Sequence, residues 1–160
     1  MQDDLSLFLE GVKRVAVVGV GSHWCGDDAV GVEIVRRLRG QIKSSRVLIV
    51  DAGTAPENYT SQLRRFGPSH IILIDAADFG GRPGDIVIAD PGAITGRSVS
   101  THTIPLSALA GYLRAQIGAE VILIGVQPGK VDFGSKMSEA VSKSMDELLR
   151  ILVEKLGQLV

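Results

Sequence analysis

The chain has 160 residues, of which 45% are hydrophobic and 22% are charged, a composition typical of a folded globular domain. Its 17 basic and 18 acidic residues give a net charge of −1, which argues against a protein that binds nucleic acid through phosphate contacts. The lone cysteine, Cys25, excludes a disulfide framework. No apolar run approaches the ~20 residues that cross a bilayer, and the amino terminus is not typical of a signal peptide, so we expect a cytoplasmic protein without membrane insertion.

Short apolar runs rich in valine and isoleucine recur along the chain and predict buried strands. Four of them lie at residues 15–19, 47–50, 71–74 and 121–126. The segment 85–90 instead alternates between apolar and polar residues, which predicts an antiparallel strand at the edge of a sheet. A turn rich in glycine, at residues 80–84, precedes this strand.

Amphipathic stretches fall between the predicted strands, with apolar residues three or four positions apart. They predict helices over 29–38, from Thr54 through Phe66, from Pro105 through Leu113 and from Ser138 through Leu156. Thr54 and Glu57 have the spacing of a capping box, and we expect Ser138 to cap the last helix.

This alternation of strands and helices predicts the fold class. We expect an α/β protein in which residues 1–160 form a single three-layer αβα domain. Its twisted sheet would be mostly parallel, with one antiparallel edge strand. Ligands of such folds bind at the carboxyl ends of the strands, which directs attention to the residues that follow each strand.

Acidic residues stand at three of these predicted strand ends. Asp28 lies in the loop after the first strand, Asp51 follows the second, and Asp75 follows the third. His102 lies just before the helix that begins at Pro105. We expect Asp28, Asp75 and His102 to converge at one edge of the sheet and form an open site for a divalent transition metal, although such ligands do not distinguish nickel from zinc.

Structural explanations exist for several of these residues. An aspartate at the start of a helix, such as Asp27 or Asp28, is a favoured N-cap. Asp51 and Asp78 are expected to form turns or accept backbone N–H groups. His70 is expected to lie at the opposite edge of the sheet, exposed to solvent.

Two other functions are compatible with the same loop. Gly19 and Gly21 after the first strand imitate a dinucleotide-binding fingerprint, but the next glycine, Gly26, is too far along the chain, and the adjacent aspartates would repel a pyrophosphate. Cys25 lies just before a predicted helix, where a thiol can become reactive, so Cys25 and His102 could form a nucleophile pair.

Five segments of the chain, taken in this order, resemble the hydrogenase maturation endopeptidases. Together they extend from the first predicted strand to just beyond the last predicted strand. The branch that processes hydrogenase 3, the formate-hydrogenlyase type, is the most similar. The matching segments are residues 18–21 with 26–31, residues 51–58 (DAGTAPEN), residues 73–76 with Pro83 and Gly84, residues 101–106 (THTIPL) and residues 125–128 (GVQP).

The resemblance implies an aspartyl-type endopeptidase that removes the C-terminal extension of a nickel–iron hydrogenase large-subunit precursor after nickel insertion. On the matching motifs, the nickel-contacting residues are Asp28, Asp75 and His102, and the nickel is supplied by the precursor, although other divalent transition metals could occupy the site. Asp28 and Asp75 are the candidate catalytic residues.

Four residues of the two neighbouring loops are candidates for substrate contacts: Gly53, Thr54, His23 and Trp24. The family often has asparagine at the position of Ser22, and the segment His23-Trp24-Cys25 is unusual for it. A metal or cofactor chaperone of the same fold, without peptidase turnover, remains an alternative.

Overall fold

The computed structural model describes residues 1–93, 97–98 and 104–159, and of residues 97–98 it describes the backbone alone. The strands of this part of the chain are β1 (Val15–Gly19), β2 (Val47–Asp51), β3 (His70–Asp78), β4 (Ile86–Ala89), β5 (Arg97–Ser98) and β6 (Glu120–Val126). The α-helices are α1 (Gln2–Phe8), α2 (Val30–Arg39), α3 (Thr60–Phe66), α4 (Leu106–Ile117) and α5 (Glu139–Gly157). None of these helices has the length and apolarity that a membrane crossing would require.

The main sheet has the strand order β2-β1-β3-β6-β4. The first four of these strands are parallel, and β4 pairs antiparallel with β6 at the edge. The predicted fold class is therefore confirmed, including the antiparallel edge strand. β5 pairs antiparallel with the last two residues of β3, outside this order.

Apolar clusters cover both faces of the sheet, as the continuous apolar runs of the strands predict. One cluster packs α1, α2 and α5 against the sheet, with Ile34, Ile72 and Leu152 fully buried. The other packs α3 and α4 against the opposite face, around Leu73 and Leu113. These two clusters make the helix, sheet and helix layers that the sequence predicts.

Four elements differ from the sequence-based expectation. α1 and β5 are not predicted from the sequence, because both are short. β3 continues to Asp78 instead of ending before Asp75, since β6 and then β5 go on pairing with it. The helix expected from Thr54 begins with a 3-10 turn, Pro56–Tyr59, whose N-cap is Ala55 without a side-chain hydrogen bond, so the expected capping box does not define the helix start.

Close contact between α2 and the sheet depends on glycine. A Cβ atom on Gly31 would lie 2.2 Å from the carbonyl oxygen of Ile74 and 2.5 Å from that of Val20. A Cβ atom on Gly19 would lie 2.3 Å from the carbonyl oxygen of Gly31. The helix therefore lies directly on the end of β1 and on the middle of β3, which brings its first turn to the carboxyl edge of the sheet.

We expect the substitution Gly31→Ala to lower the free energy of unfolding by about 1–3 kcal/mol, because the backbone carbonyls around the added methyl group have little room to move. Gly111→Ala is the matched control, since a Cβ atom there meets nothing within 4 Å in a helix of similar length. Urea unfolding should show the control to be neutral or slightly stabilised. Equal stability of the two variants would contradict the close contact.

His70 lies at the amino end of β3, opposite Val15, so its position at the edge away from the candidate site is confirmed. The expectation that it is exposed to solvent is wrong, because its side chain is only 6% exposed. Its ring packs edge-on against Phe8 with the centroids 5.1 Å apart, and its Nδ1 lies 2.8 Å from Ser69 Oγ. The unpredicted helix α1 is what covers it.

Burial lowers the pKa of His70 below its usual value of 6.5, and this effect outweighs the opposing influence of the Glu120 carboxylate. The unfolded chain therefore binds a proton more readily than the folded chain, and we expect this residue to lower stability as the pH falls below 6.5. Above that pH His70 is neutral in both the folded and the unfolded chain, so its protonation costs no stability there. Urea unfolding between pH 7.5 and 5 should show a smaller loss of stability for His70→Gln than for the wild type, and an equal loss would contradict this prediction.

Candidate active site

Asp28 is held by the loop that follows β1. The carboxylate accepts a hydrogen bond from the Ser22 backbone N–H, with a distance of 3.1 Å from N to Oδ2. Gly21 has a φ of 142°, and a Cβ atom there would lie 2.0 Å from the carbonyl oxygen of Asp28. The loop therefore folds back on the start of α2, and the Asp28 side chain is only 4% exposed.

Asp75 reaches the same edge from the middle of β3. It lies opposite Gly125 of β6, so it is inside the strand and not just beyond it. β1, however, has ended at Gly19, which pairs with Ile74. The next N–H of the chain, that of Val20, donates to the carbonyl oxygen of Ile74 over 2.9 Å. Asp75 is therefore the first residue of β3 beyond β1, and it is fully buried.

The structure thus brings two of the three predicted metal-binding residues to one end of β1. Asp28 bonds to the loop that leaves β1, and Asp75 adjoins the residue bonded to Val20. His102 lies outside the described residues, so the complete three-residue site stays a prediction. Within residues 1–93 and 104–159, no three His, Cys, Asp or Glu side chains form a group that could hold a metal ion.

Asp27, the residue before Asp28, has a different environment. Its carboxylate is fully buried and accepts four hydrogen bonds. The donors are the backbone N–H groups of Gly129, Lys130 and Ser138 and the Ser138 hydroxyl, at 2.6–3.0 Å. Asp27 therefore joins the loop after β1 to the loop after β6, and Ser138 in turn caps α5 as predicted.

The Asp27→Asn substitution should lower the free energy of unfolding by about 2–4 kcal/mol, because an amide removes the charge and turns an N–H₂ group toward N–H donors. Asp132→Asn is a control in the loop after β6, which supplies the donors to Asp27, since the Asp132 side chain is exposed. We expect its stability to stay within about 0.5 kcal/mol of the wild type in urea unfolding. If both variants lost stability equally, the structural role of Asp27 would be wrong.

His23 connects the loops after β1 and β2. Its Nε2 lies 3.0 Å from Asp51 Oδ2, and the other oxygen of Asp51 accepts the N–H of Gly53 over 3.2 Å. The Nη2 of Arg36 lies 3.1 Å from His23 Nδ1. The same Nη2 lies 3.3 Å from His23 Nε2, so the ring is held between the Asp51 carboxylate and the Arg36 guanidinium. This arrangement fixes Gly53 relative to His23.

Gln127 organises the turn at residues 80–84, a role that the sequence analysis did not assign. Its side-chain oxygen accepts the N–H groups of Phe79 and Gly81, at 2.9 and 3.0 Å. Its amide nitrogen donates to Asp78 Oδ1 over 3.1 Å. This bond and the N–H of Gly80 lower the pKa of Asp78 below its usual value, so Asp78 has the turn-forming contacts that we expected.

The geometry does not favour the nucleotide-binding alternative. A 3-10 turn, Gly26–Ala29, directly precedes α2 and carries the buried carboxylates of Asp27 and Asp28, where a pyrophosphate would have to bind. Cys25 precedes this turn and is half-buried. Its pairing with His102 falls outside the described residues.

Comparison with known proteins identifies the family. The family model described as hydrogenase maturation protease matches residues 32–155. The chain belongs to this family. A putative hydrogenase maturation protease of Methanocaldococcus jannaschii is 35% identical over 158 residues, covering 94% of this chain and 93% of the relative. The hydrogenase 3 maturation protease of Escherichia coli K12 is 34% identical over 134 residues, covering 83% of this chain and 85% of the relative.

Solved structures agree with this assignment. The crystal structure of a [NiFe] hydrogenase maturation protease from Thermococcus kodakarensis superposes with a TM-score of 0.89 at 36% identity, covering 96% of this chain and 99% of that one. The crystal structure of the hydrogenase 3 maturation protease has a TM-score of 0.76 at 31% identity, covering 86% and 87%. Membership in this family supports an endopeptidase and hydrolase that acts in hydrogenase maturation.

Proposed function

We propose that this maturation protease removes the C-terminal extension of a nickel–iron hydrogenase large-subunit precursor once nickel has been inserted, and that it acts in the cytoplasm. The observation that carries the proposal is the placement of two buried carboxylates, Asp28 and Asp75, at one end of β1 in a chain of this family. The carboxyl edge of a mostly parallel sheet is where such folds bind their ligands.

The nickel ion belongs to the substrate in this proposal. Carboxylate oxygens and an imidazole nitrogen are suitable donors for a divalent transition metal, and Asp28 and Asp75 supply the oxygens. His102 is the proposed nitrogen donor. The three residues would recognise nickel in the precursor and so limit cleavage to loaded precursor. The same site could accept other divalent transition metals.

Asp28 or Asp75 is also the proposed general base for the attacking water. A carboxylate within hydrogen-bond reach of that water can take its proton and later release it to the leaving amine. Asp27 is unsuited to this role, because its oxygens already accept four hydrogen bonds. In this proposal Asp27 has a structural role, and its neighbour Asp28 takes part in the chemistry.

The substrate contacts are proposed for the two loops that His23 joins. Gly53 and Thr54 follow β2, and His23 and Trp24 follow β1. Because His23 bonds to Asp51, and Asp51 to Gly53, both loops would present one continuous surface to the precursor.

The proposal is tested with purified precursor in its nickel-loaded and nickel-free forms. We expect the wild type to shorten the loaded form alone, as measured by mass spectrometry. Asp28→Asn and Asp75→Asn should lower the rate by at least about 100-fold, in the range for loss of a catalytic acid or base. Asp3→Asn, an exposed substitution on α1, is the control that should cleave normally.

Three outcomes would contradict parts of this account. Equal cleavage of both precursor forms would remove the dependence on nickel. Full activity of Asp28→Asn would remove that residue from the chemistry. A wild type that binds the loaded precursor without shortening it would instead support a chaperone that does not cleave.

A further inference from the structure

A cleft of about 460 Å³ adjoins the loop that carries Asp28. One wall is the loop after β1 together with the 3-10 turn Gly26–Ala29. The second wall is the exposed side of α2, and the third is the loop that leads to α5. The lining residues that matter here are His23, Trp24, Arg36, Lys136 and Met137. Such a volume suits a few residues of peptide and not a folded domain.

Two large aromatic side chains project into solvent from the loops beside this cleft. Trp24 is 71% exposed and Phe133 is 82% exposed. A hydrogen bond of 2.7 Å from the Gly134 N–H to the Trp24 carbonyl oxygen joins the two loops directly. Exposed aromatic side chains on a fixed backbone are the residues that most often anchor a protein partner.

The walls of the cleft are fixed relative to each other. Asp27 bonds to residues on the loop after β6, as described above, and the Asp27 N–H donates to the Lys130 carbonyl oxygen over 2.8 Å. Gly26 has a φ of 56°, and a Cβ atom there would lie 2.4 Å from the same carbonyl oxygen. A partner therefore meets a preformed cleft and does not have to order it.

The charges at the cleft favour an acidic group on the partner. Arg36 is engaged by Glu33 at 3.3 Å and by His23. Lys136 is exposed, and no ion pair is found for it in the described part of the chain. A cation without an ion-pair partner, beside two exposed aromatic side chains, is complementary to an acidic residue next to an apolar one.

We propose that this cleft binds the segment of the hydrogenase precursor next to the scissile bond, through an apolar side chain at Trp24 and Phe133 and an acidic residue at Lys136. The inference rests on the proposed function. We infer the precursor as the occupant because the cleft is continuous with the loop that carries Asp28. Gly26 and Ala29, on either side of Asp27 and Asp28, both line the cleft. The cleft therefore borders the turn that carries Asp28.

Steady-state cleavage of the nickel-loaded precursor provides the first test. We expect Trp24→Ala and Phe133→Ala each to raise KM about tenfold or more, with kcat within about twofold, because they remove binding and not chemistry. Lys136→Glu should raise KM in low salt, and added salt should reduce the effect. Leu7→Ala and Lys43→Glu are matched controls on exposed residues outside the cleft and should leave both constants unchanged.

The fluorescence of Trp24 provides the second test, because it is the protein's single tryptophan. The probe is loaded precursor whose own tryptophans are replaced by phenylalanine, added to the Asp28→Asn variant to limit cleavage. We expect a blue shift of the emission and protection from acrylamide quenching.

Failure of the cleft inference and failure of the proposed function would give different results. If the wild type cleaves but folded Trp24→Ala and Phe133→Ala keep its KM, or if Trp24 stays fully quenchable at saturation, the cleft inference and the proposed contact at Trp24 are overturned. The proposed cleavage of the loaded precursor then still stands. If the wild type does not cleave loaded precursor at all, the proposed function is overturned and this inference with it.

Discussion

A buried carboxylate with four hydrogen bonds organises the carboxyl edge of this sheet. Removing the charge of Asp27 from water is costly, and the N–H and O–H groups of the loop after β6 offset that cost by converging on it. The contact joins residues more than one hundred positions apart in the sequence. Because Asp27 is held in this way, the position of Asp28 next to it is also restricted, and so is the wall of the adjoining cleft.

Close packing of glycine provides the second constraint. Gly19 and Gly31 let α2 lie against the end of β1 and the middle of β3, and Gly21 lets the loop return to Asp28. Asp75 then reaches the site simply because β3 continues beyond the end of β1. The candidate site thus depends on backbone geometry more than on contacts between its own side chains, which is consistent with an edge that is formed before substrate arrives.

Periodicity was sufficient to predict the main sheet, its antiparallel edge and helices α2 to α5, because their apolar residues recur at the spacing of strands and helices. It was insufficient for α1, although Leu5, Phe8 and Leu9 have helical spacing. Missing α1 also led to the wrong environment for His70, which Phe8 covers. Local spacing cannot reveal such a cover, because it depends on where a distant segment packs.

In the candidate site, too, the sequence predicts some features, while others depend on contacts with distant segments. Strand-end positions placed Asp28 and Asp75 at one edge, and the family motif selected Asp28, but the sequence did not reveal the structural role of Asp27. That role depends on donors from the loop after β6, which is more than one hundred positions away. The structural role of Gln127 was missed for a similar reason, because its partners lie on the turn after β3.

We propose that Asp28 and Asp75 form one metal-recognition site at the carboxyl edge. Titration of the isotope-labelled protein with Ni²⁺, followed by amide NMR, tests this most directly because the ion broadens nearby resonances. The account predicts broadening first at Ser22, Asp28 and Ala76 and not at Ser69, and its loss in Asp28→Asn. Broadening centred elsewhere, or unchanged in that variant, would contradict it.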